Sequence, residues 1–278
     1  MDSNEQLRRR DVLARMAGVA LASSCRFSDA ESLRGAALLM SVRDRRIISV
    51  QGDEIARGCL GAPGSTMKPL SLLALIDAGK LTCKDVFDCP GELILGGHRL
   101  TCSHPPVALP MNVSRAIAYS CNCAVAHFAR RLAPGELAAF LVRTGLDSEP
   151  VLSASGQAQE LQALGEEGVR VTPLGLLAAY RYLARRPADL KMAPILEGLE
   201  GAVEFGTAQP ARLARIRVAG KTGSVLTSSG SHAAWFAGFA PSRSPEVAVV
   251  VLVQGRSGGA DAAPVAGRIL REHFGARA

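Results

Sequence analysis

Gly64-Ser65-Thr66-Met67-Lys68-Pro69 opens the mostly apolar run Leu70 to Ala78 and reads as a loop that turns into a helix. Residues three apart on a helix are neighbours, so Ser65 and Lys68 share one face. A serine hydroxyl becomes a nucleophile when a base takes its proton, and a lysine is such a base when burial or a nearby cation lowers its pKa. The free N–H groups of a helix start also favour a developing oxyanion. Leu70, Leu72, Leu73, Leu75 and Ile76 make this helix apolar nearly all round, which predicts a buried central helix ending at a Gly79 C-cap. Taken alone, S-x-x-K fits a solvated helix start equally well.

Working outward, Gly35 to Val42 and Ile47 to Gln51 are short apolar runs separated by Arg43-Asp44-Arg45-Arg46, the pattern of a β-hairpin with a charged turn. Ala56 to Gly64 reads as a Gly-rich connection to Ser65, and residues 80–110 as an irregular piece that needs a staple. Helical patterns cover Val113 to Ala118 and, after a break at Tyr119 to Asn122, Cys123 to Leu132. Four more cover Pro134 to Thr144, Gln157 to Leu164, Pro173 to Ala184 and Ala193 to Phe205. Arg215 to Val225, His232 to Ala240 and Glu246 to Gln254 then read as three strands with short connections, followed by a last helix from Ala262 to Phe274. Strands at both chain ends around a helical insert imply an α+β fold. The expected core is one five-stranded antiparallel sheet from both termini, flanked by helices, with a mainly helical subdomain inserted at about 80–210.

At 278 residues, 48% hydrophobic and with 28 glycines, the chain suits an ordered globular protein with a substantial core. Its net charge of +7 lacks the Lys/Arg runs with interleaved aromatics that mark nucleic-acid binding. Arg8-Arg9-Arg10 before the apolar stretch Met16 to Ser24 resembles a twin-arginine or Sec export signal, with a basic N-terminal arm as the competing reading. Residues 1–29 are accordingly expected to be an address, and 30–278 the functional domain. Every later apolar run is broken well short of about 18 residues, so any membrane tether is expected at the N-terminus.

Two further motifs change the weight of the first. Ser120-Cys121-Asn122 lies in a break between helices, and Lys221-Thr222-Gly223-Ser224 lies on the first late strand. With Ser65-Thr66-Met67-Lys68 they form, in order, an S-x-x-K, S-x-N and K-T-G set. Singly, Ser120 and Asn122 read as helix caps and Lys221 as a strand-edge charge; the ordered set at matching element types leaves little room for that.

On these motifs the chain resembles the transpeptidase domain of penicillin-binding proteins, over nearly everything after about residue 33. Ala62 to Pro69, Glu204-Phe205-Gly206-Thr207-Ala208 and Ala234 to Pro241 extend the likeness. Cys89-Pro90-Gly91 with Gly96-Gly97 looks like the class B, elongation-type members. Size is the departure, because those members carry a long N-terminal pedestal and a membrane anchor, neither of which is expected from these residues.

The resemblance implies a serine acyl-transfer mechanism on peptidoglycan stem peptides, or on β-lactams that mimic them, with no cofactor for catalysis. Ser65 would attack and Lys68 would accept its proton. Ser120 would relay a proton to the leaving amine, and Lys221 would keep Lys68 neutral by like-charge repulsion. Asn122 would bind the substrate amide, and Thr222 with Lys221 the carboxylate. Gly223 would let the substrate backbone approach, and the N–H groups of Ser65 and Ser224 would form the oxyanion hole. Class D-like β-lactamases, D,D-carboxypeptidases and non-catalytic β-lactam or muropeptide sensors remain as alternatives. Glu166 and Glu167, in Leu164 to Val169, read as an exposed turn, and so not as a deacylating carboxylate.

Cys89, Cys102, His104 and Cys121 supply four soft or borderline ligands of the kind zinc takes, with Cys121 inside the S-x-N motif. If Ser120 and Asn122 face the cleft, Cys121 faces away, where a metal would brace the motif from behind. Some elongation-type relatives are understood to carry zinc at a similar place. A Cys89–Cys102 disulfide and plain buried thiols are the competing readings. Seven cysteines are an odd count, but loss of Cys25 with a leader would leave six.

Overall fold

The computed structural model describes residues 35–106, 109–146, 154–227 and 230–275. The expected export signal at 1–29 lies outside the described residues.

The charged hairpin forms as expected, from β1 (Gly35–Ser41) and β2 (Ile47–Gln51). The late strands are β5 (Ala219–Leu226), β6 (His232–Ala240) and β7 (Val247–Gln254). β1 pairs antiparallel with β7, which closes a five-stranded sheet in the order β2-β1-β7-β6-β5. The apolar run of β7 does not alternate with polar residues because both sheet faces are covered. Leu38, Trp235, Val250 and Leu252 point into one buried cluster, which includes Leu72, Leu73 and Leu177. Leu39, Phe236, Val249 and Val251 point the other way, into a second cluster with Ala266 and Leu270 of the C-terminal helix. Successive strand residues face opposite sides, so one apolar strand feeds two cores.

The helices, in chain order, are α1 (Asp53–Gly58), α2 (Lys68–Asp77), α3 (Val113–Ala118), α4 (Asn122–Ala129), α5 (Glu136–Arg143), α6 (Gly156–Leu164), α7 (Pro173–Ala184), α8 (Ala193–Glu204) and α9 (Ala263–Gly275). The central helix α2 is buried on every side, with Leu70, Leu72, Leu73 and Leu75 fully inaccessible. Burying one such side chain contributes about 1.5–3 kcal/mol, so a polar substitution anywhere on its surface strikes the core. Gly79 has the expected positive φ of 71° after its end.

Three local readings need correction. Gly64–Met67 is a turn of 3-10 helix and the α-helix begins only at Lys68, with Pro69 in its first turn. The stretch at 56–64 is partly helical, because α1 occupies Asp53–Gly58 with Asp53 and Glu54 at its positive end. The piece at 80–110 contains a second small sheet, β3 (Glu92–Leu95) and β4 (His98–Thr101). Gly96 and Gly97, both at positive φ, form its two-residue turn.

Candidate active site

The nucleophile turn is held from three sides. Gly64 N–H donates to the Gly165 carbonyl at 2.9 Å, at the C-terminal end of α6. Tyr180 of α7 donates its hydroxyl to the Thr66 carbonyl at 2.9 Å. Strand β5 runs alongside: a Cβ on Gly223 would stand 2.7 Å from the Pro63 carbonyl oxygen, and one on Gly64 would stand 3.6 Å from the Ser224 nitrogen. Only glycine permits backbones this close. Ser65, half-buried, follows Gly64 in this turn alongside β5.

Lys68 is fully buried. Its ammonium donates to the Ser120 carbonyl at 2.7 Å, to Asn122 Oδ1 at 2.5 Å and to Ser120 Oγ at 3.3 Å. Lys221, also fully buried, donates to Ser120 Oγ at 2.8 Å and to the Thr222 carbonyl at 3.0 Å. Two lysines from opposite sides therefore share one serine hydroxyl, and all three motifs meet there. Ser120 adopts φ 57° without being glycine, a left-handed conformation that costs about 1–2 kcal/mol. Strain of that size persists at sites where the surroundings dictate the geometry.

Burial lowers the Lys68 pKa to about 8, although nearby thiol groups and Glu166 oppose the shift. Burial, followed by the charge of Lys68, pushes Lys221 well below the usual lysine range. The expected like-charge effect therefore falls on Lys221, and desolvation does most of the work at Lys68. A lysine titrating near 8 is a competent base close to neutral pH.

Asn122 donates its amide to the Thr101 carbonyl at 2.9 Å while its oxygen holds Lys68. Thr222 Oγ1 lies 2.7 Å from Thr207 Oγ1, and Ser224 Oγ accepts from the Gly258 N–H at 2.9 Å. Thr207 and Tyr180 are supports that the motifs do not announce. Glu166 is half-buried and close enough to Lys68 for their charges to interact. Burial raises its pKa, with Lys68 and His98 pulling the other way. Glu167, at 3.0 Å from His98, is the exposed member of the pair, so the exposed-turn reading holds for Glu167 and not for Glu166.

Behind the S-x-N loop, the sulfur atoms of Cys89, Cys102 and Cys121 and the His104 ring lie within 4.8 Å of one another. Cys89 Sγ is 3.7 Å from Cys102 Sγ, 3.4 Å from Cys121 Sγ and 3.6 Å from His104 Nε2; Cys102 and Cys121 are 3.8 Å apart. Sulfur and nitrogen ligands at about 2.0–2.3 Å from one ion stand about 3.3–3.8 Å apart at tetrahedral corners, so the donor set fits a metal ion. All four are the residues expected from the sequence. Cys89 and Cys102 are free thiols, as are Cys83, Cys121 and Cys123, which removes the Cys89–Cys102 disulfide reading. The hydrogen bond from Cys121 holds Cys102 as a thiolate, down to about 4, while Cys121 itself is pushed up. Cys123, 3.5 Å from Cys102, is a fourth sulfur at this cluster, outside the four residues expected from the sequence.

Residues 60–271 match the family described as penicillin binding protein transpeptidase domain. Stage V sporulation protein D of Bacillus subtilis is 27% identical over 76% of this chain and 41% of its own length. The peptidoglycan D,D-transpeptidase PbpA of Mycolicibacterium smegmatis is 26% identical over 73% of this chain and 53% of its own. The chain thus spans about half the length of these curated relatives. Among solved structures, the transpeptidase domain of Burkholderia pseudomallei penicillin-binding protein 3 shares the fold with a TM-score of 0.75 at 23% identity, covering 87% of this chain and 88% of that one. Pseudomonas aeruginosa PBP2, in complex with WCK 5153, gives 0.73 at 22%, covering 86% and 70%.

Proposed function

The chain belongs to the penicillin-binding protein transpeptidase domain family, and from that premise we propose that it is a serine D,D-transpeptidase of peptidoglycan stem peptides that β-lactams acylate. The observation that carries this reading is the shared Ser120 hydroxyl, 2.8 Å from Lys221 and 3.3 Å from Lys68, beside the Ser65 turn. Neutral Lys68 takes the Ser65 proton as Oγ bonds to the carbonyl carbon of a D-Ala-D-Ala peptide. The Ser65 and Ser224 N–H groups receive the oxyanion, each donor supplying about 3–4 kcal/mol. When the peptide C–N bond breaks, the leaving amine takes its proton through Ser120, and the acyl group stays on Ser65. An amine of a second stem then attacks, the ester bond breaks, and the proton returns to Ser65 Oγ. Asn122 holds the substrate amide, and Thr222 with Lys221 its carboxylate.

Hydrolysis is the second reading, and Glu166 favours it. A half-buried carboxylate next to Lys68 can take a proton from a water that attacks the acyl carbon, with Ser65 as leaving group. The same protein then acts as a carboxypeptidase or as a β-lactamase.

Zinc is the metal that best suits three thiols and an imidazole; Cys89, Cys102, His104 and Cys121 would hold it. Once bound, it supplies structural bracing rather than chemistry, because Cys121 sits between the two cleft-facing residues Ser120 and Asn122. Activity on stem peptides places the protein outside the cytoplasm, and the arginine-led N-terminus is the proposed export address. No helix among the described residues is long and apolar enough to cross a membrane.

The test is intact-mass spectrometry of the purified chain with penicillin over time, with Ser65→Ala as control. A lasting adduct lost in Ser65→Ala supports a penicillin-binding serine that does not hydrolyse the acyl-enzyme, and transfer to an added stem-peptide amine then supports the transpeptidase over a β-lactam sensor. An adduct that clears within minutes, but persists in Glu166→Gln, supports hydrolysis. Absence of any adduct on folded protein removes the catalytic reading and leaves a muropeptide receptor or a relic active site.

A further inference from the structure

None of the three motifs contributes to a cluster of five arginines that lines one cavity of the described residues. A cavity of about 430 Å³ opens between the β1–β2 turn, the end of α5 and one face of α7. Arg45 lines it from the turn, Arg143 and Thr144 from α5, and Arg181, Arg185 and Arg186 from α7. Arg181 and Arg185 are four apart and project on one helix face.

Of the five guanidinium groups, one has carboxylate partners. Arg186 grips Asp77 through two bonds of 2.9 Å and also holds Asp189 at 2.9 Å. The other four make no ion pair with any carboxylate among the described residues, and Asp44, exposed on the β1–β2 turn, is the acidic group whose field reaches Arg181. Arg181 is the telling member. Only 6% of its surface is exposed, one terminal nitrogen donates to the Arg43 carbonyl at 3.3 Å, and its buried Nε has no hydrogen-bond partner among the described residues. Buried polar groups in folded proteins are nearly always satisfied. A guanidinium also cannot escape by losing its proton. Burial and the neighbouring Arg185 and Arg45 charges all act against the Arg181 cation, which is the electrostatic signature of a missing counterion.

We propose that this cavity is a binding site for a phosphate-bearing anion, with the buried Arg181 Nε as the inner donor and Arg45, Arg143 and Arg185 as the rim. Planar guanidinium forks match phosphate oxygens two at a time, and a diphosphate or phosphate ester carries enough charge to answer several arginines at once. Thr144 adds a hydroxyl-bearing wall, and the cavity exceeds the volume of a single phosphate. Both a soluble phosphate ester and the headgroup of an anionic lipid carry this chemistry.

The experiment titrates the full chain with inorganic phosphate and with diphosphate by calorimetry, at ionic strength held constant with potassium chloride. Flotation with phosphatidylglycerol vesicles, against phosphatidylcholine vesicles, forms the second arm. Saturable binding of diphosphate, tighter than of phosphate and at least tenfold weaker in Arg143→Ala and Arg185→Ala, establishes the site and a soluble source. Flotation with phosphatidylglycerol alone, lost in the same two variants, establishes the site and a lipid source. Both substitutions are at exposed positions, so they leave the fold standing. If neither probe binds, or if both variants bind within twofold of the parent chain, the proposal is overturned.

Discussion

The protein buries positive charge in two places and treats it in opposite ways. In the cleft, two lysines with no surface exposure each find oxygen partners, and both have depressed pKa values. In the cavity behind the β1–β2 turn, a nearly buried arginine keeps an unpartnered Nε among three unpaired arginines. Lysine can answer desolvation by releasing its proton, and the neutral amine is what a serine nucleophile needs. Arginine has no such exit, so its burial calls for an anion from outside. Which cation a fold buries therefore separates a site that moves protons from one that holds charge.

The sharpest way to break that contrast is to exchange the cations. Lys68→Arg keeps a buried positive charge but removes the ability to be a base, and acylation by penicillin should fall by about 10⁴, the upper end of a general base's contribution. Stopped-flow acylation rates measure it. A loss of less than tenfold would mean that Lys68 only positions the motif, and the comparison would collapse to two sites of fixed charge.

Chelation separates the two regions in space. The thiol cluster lies directly behind Ser120 and Asn122, whereas none of its residues lines the arginine cavity. Stripping a bound metal should lower the midpoint of thermal unfolding by about 5–10 °C, equivalent to about 2–4 kcal/mol in a domain of this size. It should slow acylation and leave anion binding unchanged. Parallel calorimetry and metal analysis on the same preparation check both, and an unchanged midpoint after complete removal rules out a structural metal.

Much of this was legible in the sequence, for reasons that differ by element. β1, β7 and the buried α2 announce themselves through nearly uninterrupted apolar runs, and β2, β5 and β6 through short runs bounded by turn-rich segments. The four candidate metal-binding residues stand out because cysteine and histidine are scarce and cluster on either side of β4. The β3–β4 hairpin was missed although Gly96-Gly97 is a hairpin turn, because only four residues flank it on each side and Arg99 and Glu92 are exposed. Glu166 was misread because burial of one glutamate and exposure of the next depend on how Gly165 docks against Gly64, which periodicity does not encode. The positive φ of Ser120 and the Thr207–Thr222 contact are tertiary outcomes. The arginine cavity is assembled from three segments, around Arg45, Arg143 and Arg181 to Arg186, far apart in the chain, and no local pattern links them.

Titration sharpens the cleft side of the contrast. With Lys68 at about 8, its neutral fraction grows with pH until the group has lost its proton. The acylation rate should therefore rise about tenfold per pH unit below 8 and flatten above it. The depressed Lys221 pKa places that group's titration away from the ordinary lysine range too, so no second rise near 10 should follow. A profile flat from pH 6 to 8 would take the base role away from Lys68.

The smallest effect tests the cavity side. Arg181→Met keeps an unbranched stem of similar reach while deleting a buried charge whose Nε finds no hydrogen-bond partner among the described residues. Replacing a poorly compensated buried charge with an apolar side chain is commonly neutral or stabilising, here by about 1 kcal/mol. In phosphate-free buffer the variant should therefore unfold at a higher denaturant midpoint than the parent, with an unchanged slope. Saturating diphosphate should reverse the order, because it stabilises only a folded state that can bind it. The reversal matters more than either shift alone. A guanidinium that merely packed its stem against α7 would give a loss of stability in both buffers, whereas one waiting for an anion gives a gain without it and a deficit with it.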